Sequence, residues 1–224
     1  PDFVELYNSS ANAVSIAGMT MTDDLAEPAK FTFPAGTSIA AGDRMILFAD
    51  SADTDGRHLG FSLGSNGEAI YLVDGATTVD SVSFGLQIPD LSISRTGAGL
   101  NTWALTQPTP GTANIAQDLG DPDVLRINEW LTQPEVVFTR DFIELYNPSS
   151  LPVAIGGLAI TDEPASDPTR FQLPALSFIP AGGFALFEAI GNDTSPGNAS
   201  ELPFKLGSDQ GWLAISGVNG VEID

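Results

Sequence analysis

The chain contains no cysteine, a single histidine (His58), and only 8 Lys+Arg against 29 Asp+Glu. Without cysteine there is no disulfide framework, zinc finger, iron–sulfur cluster or thiol nucleophile. One histidine supplies no multi-histidine metal site. The formal net charge of −21 argues against nucleic acid or an anionic membrane surface as a partner, because both are held by clustered Lys and Arg. No apolar run approaches the ~18 residues of a membrane span, so no membrane insertion is expected. A P-loop, a Gly-rich dinucleotide fingerprint, a nucleophile elbow and a paired-histidine metalloprotease motif are also missing. The chain is therefore read as not an enzyme, with no catalytic and no cofactor-binding residue assigned. What is present is a hydrophobic fraction of 42% over 224 residues, enough for one or two domains of ~100–200 residues with real cores.

The strongest positive signal is an internal repeat. Asp2-Phe3-Val4-Glu5-Leu6-Tyr7-Asn8 recurs as Asp141-Phe142-Ile143-Glu144-Leu145-Tyr146-Asn147, an offset of 139. Gly18 to Asp23 matches Gly157 to Asp162 at the same offset. Phe31-Thr32-Phe33-Pro34-Ala35 then matches Phe171 to Ala175, and Phe61 to Ser65 matches Phe204 to Ser208. The drift of the offset places small insertions in loops, where they are tolerated. Leu125 to Trp130 has no counterpart before Pro1, and Ser81 to Asn114 has none after Asp224. Two incomplete units are expected: 1–114, lacking its first strand, and 124–224, lacking its C-terminal part. Residues 115–123, acidic and with Gly and Pro, read as a linker. The chain is expected to be part of a longer array, or of units completed by another copy.

The segments alternate at period two, as strands do: Val4 and Leu6 point one way, and Phe3, Glu5 and Tyr7 the other. Arg44 to Phe48 and Ala69 to Val73 are short apolar runs bounded by turn residues, with Asn66-Gly67 and Asp74-Gly75 read as hairpin turns. With 23 Gly and 16 Pro, no stretch of ~10–12 residues keeps a helical period without a breaker. Short strands at ~8–12-residue spacing indicate an all-β chain of two tandem β-sandwiches.

The ordered series Asp2 to Asn8, Gly18 to Asp23, Phe31 to Gly36, Ala41 to Phe48 and Leu63 to Leu72 resembles the lamin tail domain, closest to the bacterial version of secreted and surface proteins. Trp103 to Asn114 is similar to that version's terminal signature, and Ile127-Asn128-Glu129-Trp130 to its opening strand. The absence of a coiled-coil heptad segment and the tandem arrangement speak against a eukaryotic lamin. The resemblance implies immunoglobulin-like β-sandwiches and a non-catalytic interaction or anchoring module. Together with the repeat, it leads to an expected structural part of a repetitive extracellular or cell-surface protein or filament. Its partner would be protein, by self-association with further copies. Two alternatives are an accessory binding or anchoring domain of a secreted hydrolase (a nuclease or phosphatase) and a calcium-dependent adhesion module.

No metal site is assigned, but Ser51, Asp53 and Asp55 before Gly56 resemble the start of a calcium loop, with oxygen ligands at alternate positions. Ser62 stands where such a loop needs a bidentate Glu, so an acidic solvated loop is the simpler reading, with calcium as the cofactor alternative. His58 lacks a nucleophile to serve and reads as a satisfied loop histidine. Glu5 and Glu144 sit mid-strand, where Glu is depleted. Lys30 and Arg170, at matching repeat positions, are their expected partners. Phe31, Phe33, Phe48, Trp130, Phe171, Phe187 and Trp212 are expected in the cores rather than on a sugar-binding platform. Asn8, Asn192 and Asn198 open glycosylation patterns, whereas Pro148 excludes Asn147.

Overall fold

A computed structural model describes residues 1–52, 56–135, 138–191, 196–208 and 211–224. In the first copy the strands are β1 (Asp2–Tyr7), β2 (Val14–Ser15), β3 (Thr20–Thr22), β4 (Phe31–Thr32), β5 (Ser38–Ile39), β6 (Arg44–Ala49), β7 (Glu68–Asp74) and β8 (Thr77–Phe84). They are followed by β9 (Ser92–Thr96), β10 (Thr102–Gln107) and β11 (Ile115–Ala116). A 3₁₀ turn over Pro122–Val124 leads into β12 (Arg126–Leu131), β13 (Asp141–Tyr146), β14 (Val153–Ala154), β15 (Ala159–Thr161) and β16 (Phe171–Gln172). The last strands are β17 (Phe178–Ile179), β18 (Phe184–Ala189), β19 (Glu201–Leu202) and β20 (Ala214–Ser216). Among the described residues there is no α-helix, as the spacing of Gly and Pro requires.

The sequence repeat is a repeat of register. β1 pairs antiparallel with β6, Asp2 opposite Ala49 and Tyr7 opposite Arg44. β13 pairs with β18 in the same way, Asp141 opposite Ala189 and Tyr146 opposite Phe184. Val14 opposes Ile39 in the first copy and Val153 opposes Ile179 in the second. Thr20, Met21 and Thr22 oppose Val73, Leu72 and Tyr71, while Ala159, Ile160 and Thr161 oppose Ser216, Ile215 and Ala214. A one-residue slip would turn each apolar set to solvent, so matched hydrophobic patterns enforce matched pairings. Asp74-Gly75 makes the β7–β8 hairpin, with Gly75 at φ +59°, as a tight turn demands. Asn66-Gly67 does not join two paired strands. β7 lies between β3 and β8, whereas β6 pairs with β1. β6 and β7 therefore belong to different sheets.

The chain divides into two compact units, one of Pro1–Gly64, Glu68–Ser83 and Gln107–Ile115, the other of Ser65–Gly67, Phe84–Thr106 and Ala116–Asp224. The first is built on Met21, Phe33, Leu47 and Leu59, with Val4 and Leu6 partly buried against them. The second is built on Ile143, Leu145, Ile155, Phe187 and Phe204, with Ile127 of β12 against them. The β9–β10 hairpin, which chain order puts in the 1–114 copy, belongs to this second unit. Its Ile88 and Leu105 pack with Phe178, Gly85 N–H donates to the Ala175 carbonyl, and Phe178 N–H donates to the Leu86 carbonyl. Residues 115–123, expected as a linker, carry β11 and the start of the 3₁₀ turn. That turn is capped by the Asp121 side chain, which accepts from Asp123 N–H, and Pro122 follows the cap, a favoured place for proline.

Candidate functional site

The two copies differ in what is paired with β1 and with β13. In the second unit β13 is flanked on both sides, by β18 and by β12. Arg126 opposes Tyr146, Ile127 opposes Leu145, Glu129 opposes Glu144, Trp130 opposes Ile143 and Leu131 opposes Phe142, with a bulge between Ile127 and Glu129. Ile143 and Leu145 are wholly buried there. In the first unit, among the described residues, β1 pairs with β6 alone. The equivalent Val4 and Leu6 are only partly buried.

At the middle of this strand sits the repeated glutamate. Glu144 accepts a bond from the Asn128 amide at 2.6 Å, and Asn128 is the bulged residue of β12. Glu5 accepts from the Gly111 N–H at 2.5 Å and lies 3.4 Å from Arg44 Nε. The Arg44 guanidinium also rests 4.4 Å from the centroid of the Tyr7 ring. In the second copy Phe184 takes the place of Arg44 and stacks on Tyr146 with centroids 4.7 Å apart. The expected pairs Glu5–Lys30 and Glu144–Arg170 do not form. Lys30 sits 2.7 Å from Asp23, and Arg170 sits 2.6 Å from Asp162 and 2.9 Å from Glu163. The physical reason is local: the acids at the end of β3 and β15 lie beside these cations, whereas the glutamates belong to a different sheet. The hydrogen bond to Asp23 holds the Lys30 ammonium above its usual range, against some desolvation.

Asp53 and Asp55 of the calcium candidate lie outside the described residues, and Ser51 is exposed. No group of three or more potential metal-binding His, Asp or Glu side chains occurs among the described residues. His58 is engaged: its Nδ1 lies 2.6 Å from Asp50 Oδ1, and its ring leans on Phe48 with centroids 5.2 Å apart. That hydrogen bond, reinforced by the Ala52 N–H, draws the Asp50 carboxyl below its ordinary range despite desolvation. Burial pushes the Glu68 carboxyl above the usual range; the Gly64 N–H and Lys30 oppose the shift, and Asp23 adds to it. Glu68 Oε1 is buried without a hydrogen-bond partner. Phe31, Phe33 and Phe187 are core residues, and Phe48 and Phe171 are partly buried. Trp130 and Trp212 are instead exposed, at 61% and 78%, the first because β12 is an edge strand and the second because it precedes β20 in a loop.

Sequence reasoning missed the two asparagines that end the repeated motif. Asn8 Nδ2 donates to the carbonyls of Asn12, Ile39 and Ala40. Asn147 Nδ2 donates to those of Leu151, Ile179 and Pro180. Their repetition at the 139-residue offset was the available signal. The amide of Asn8 is consumed by these bonds, so its glycosylation pattern is unusable in the folded chain.

Residues 1–85 match the model of the lamin tail domain family. No curated protein and no solved structure matches the chain. The matched segment spans β1 to β8, and the registers among β1 to β7 recur in the second copy. Over residues 1–85 the chain is thus similar to a family of non-catalytic domains with an immunoglobulin-like fold.

Proposed function

We propose that the chain is a non-catalytic structural and interaction module of a repetitive extracellular or cell-surface protein, which associates with further copies. The observation that supports this reading is the recurrence of one set of strand registers in two tandem copies.

The test is light scattering coupled to size exclusion over a hundredfold range of concentration. Association that grows with concentration is the expected result. A chain that stays monomeric throughout that range overturns the reading.

A further inference from the structure

We infer that the two copies form an ordered pair, in which the segment Phe84–Thr106 of the first copy is a latch and the β14–β17 face of the second copy is its receptor. The inference rests on the tandem-module reading above and names the surface by which one copy takes hold of the next. The latch lies in one compact unit with Ala116–Asp224, although chain order puts it with the first copy.

Its entry is held through the backbone. Gly85 N–H donates to the Ala175 carbonyl at 3.1 Å, and Phe178 N–H donates to the Leu86 carbonyl at 2.9 Å. Leu86 N–H donates to the Ser177 hydroxyl at 3.2 Å, and the Gln87 side-chain amide donates to the Leu176 carbonyl at 3.0 Å. The segment therefore runs along residues 175–178 as an added strand does, with main-chain bonds for affinity and side-chain pockets for specificity. The pocket is apolar. Ile88 and Leu105 of the latch are buried together with Phe178, and Ala154 and Leu176 pack against them.

The repeat shows why the second copy is the receptor. β14 pairs with β17 as β2 pairs with β5, in the same register. At one position of that register Ala154 opposes Phe178 in the second copy, and Ser15 opposes Ser38 in the first. The frame around the position is common to both. The Ser177 hydroxyl donates to the Pro174 carbonyl at 2.7 Å, and the Thr37 hydroxyl donates to the Pro34 carbonyl at 2.7 Å. The carbonyls of Ser177 and Thr37 accept from Ile155 N–H and Ile16 N–H. One backbone edge thus carries an apolar anchor in the second copy and a pair of hydroxyls in the first. Two serines give Ile88 and Leu105 little apolar surface to bury against. The choice of receptor is written in these side chains, and it gives the pair a direction: the first copy donates and the second accepts.

The experiment uses the full chain with a protease site inserted between Asp118 and Leu119, both exposed. The folded chain is cleaved to completion and passed over size exclusion in a dilution series. The parent is compared with Ala154→Ser/Phe178→Ser, whose serines occupy the same positions in the folded first copy, and with Ile88→Ala on the latch. Circular dichroism checks each intact chain. The two pieces of the parent are expected to elute together. The concentration at which half the pieces separate should rise about tenfold in either variant. Combining the variants should add little, because both remove the same contact. Parent pieces that separate throughout the series, or a serine variant whose pieces hold as tightly as the parent's, overturn the latch. Failure of the broader reading looks different. Intact chains that never associate while the pieces hold refute the repetitive module and leave the latch standing, whereas intact chains that associate while the pieces separate refute the latch alone.

Discussion

Replacing Asn147 with alanine tests the most buried polar feature of the repeat. The side chain is fully buried. Its Nδ2 donates to Leu151 O at 2.8 Å and Pro180 O at 3.0 Å, with a longer contact to Ile179 O at 3.4 Å, while its Oδ1 accepts from Ser149 N–H at 3.0 Å. Three carbonyls on one side and a donor on the other settle which end of the amide is nitrogen. Truncation orphans these groups unequally. Leu151 O keeps the Ser149 hydroxyl at 2.7 Å, and Pro180 O keeps Gly183 N–H at 3.0 Å, whereas the Ser149 N–H loses its acceptor. Counting about 1 kcal/mol for each of three good bonds gives a loss of about 3 kcal/mol. At about 2–4 °C per kcal/mol for a chain of this size, the Tm of the affected transition should fall by about 6–12 °C in differential scanning calorimetry. Asn147→Asp should be worse than alanine, because it turns a buried, charged acceptor toward carbonyl oxygens. Asn8→Ala should behave similarly with a somewhat smaller loss, Asn8 being slightly exposed. A shift below about 2 °C for Asn147→Ala, or an aspartate variant as stable as wild type, would refute the role assigned to the amide.

Three more perturbations follow from the same geometry. Glu68 has a raised carboxyl pKa in the folded chain, so the native state holds its proton more tightly than the unfolded state, and stability falls as pH rises through that range. Glu68→Gln should therefore raise Tm at pH 7 and make little difference near pH 3.5; an equal gain at both values would contradict the burial argument. A double-mutant cycle should give a coupling of about 1 kcal/mol between Arg170 and Asp162 and none between Arg170 and Glu144, with measurable coupling in the second cycle as the refuting result. Gly85→Ala should destabilise the second unit by about 1–3 kcal/mol in urea unfolding. A Cβ there would fall 1.8 Å from Ser177 Oγ, the atom that accepts Leu86 N–H and donates to Pro174 O, and a neutral effect would show that Ser177 can move aside.

Much of the fold was legible because its signal is local and repeated. Alternation in Asp2 to Tyr7 and the matching of whole motifs carried the strands, the two copies and the family. What was not legible depends on which sheet a strand joins. The pairing of Glu5 with Lys30 was inferred from coincidence at repeat positions, but β1 and β4 lie in different sheets, so the cation found Asp23 instead. The β9–β10 hairpin was placed with the residues before it because order along a chain is visible, whereas the packing of Ile88 and Leu105 on Phe178 is a contact across some 70–90 positions. The Gly111 bond to Glu5 spans 106 residues, and no periodicity announces it.

The same comparison bears on why an acidic residue persists at the middle of an apolar strand in both copies. A glutamate there costs β-propensity and packing, and a purely structural role would be served by threonine or valine. Yet in each copy the carboxylate has found donors of different origin: an asparagine of a neighbouring strand in the second, and an arginine of the paired strand with a distant backbone N–H in the first. Different donors on a common acceptor mean that the acceptor is the fixed element and its surroundings are interchangeable. A charged residue on the exposed strand also guards it, since indiscriminate pairing with another apolar edge would bury an unpaired carboxylate. With a net charge of −21 on the chain, repulsion between copies adds to that barrier. In the second copy the glutamate tolerates Glu129 directly opposite it, and the bulged Asn128 beside that residue supplies the donor.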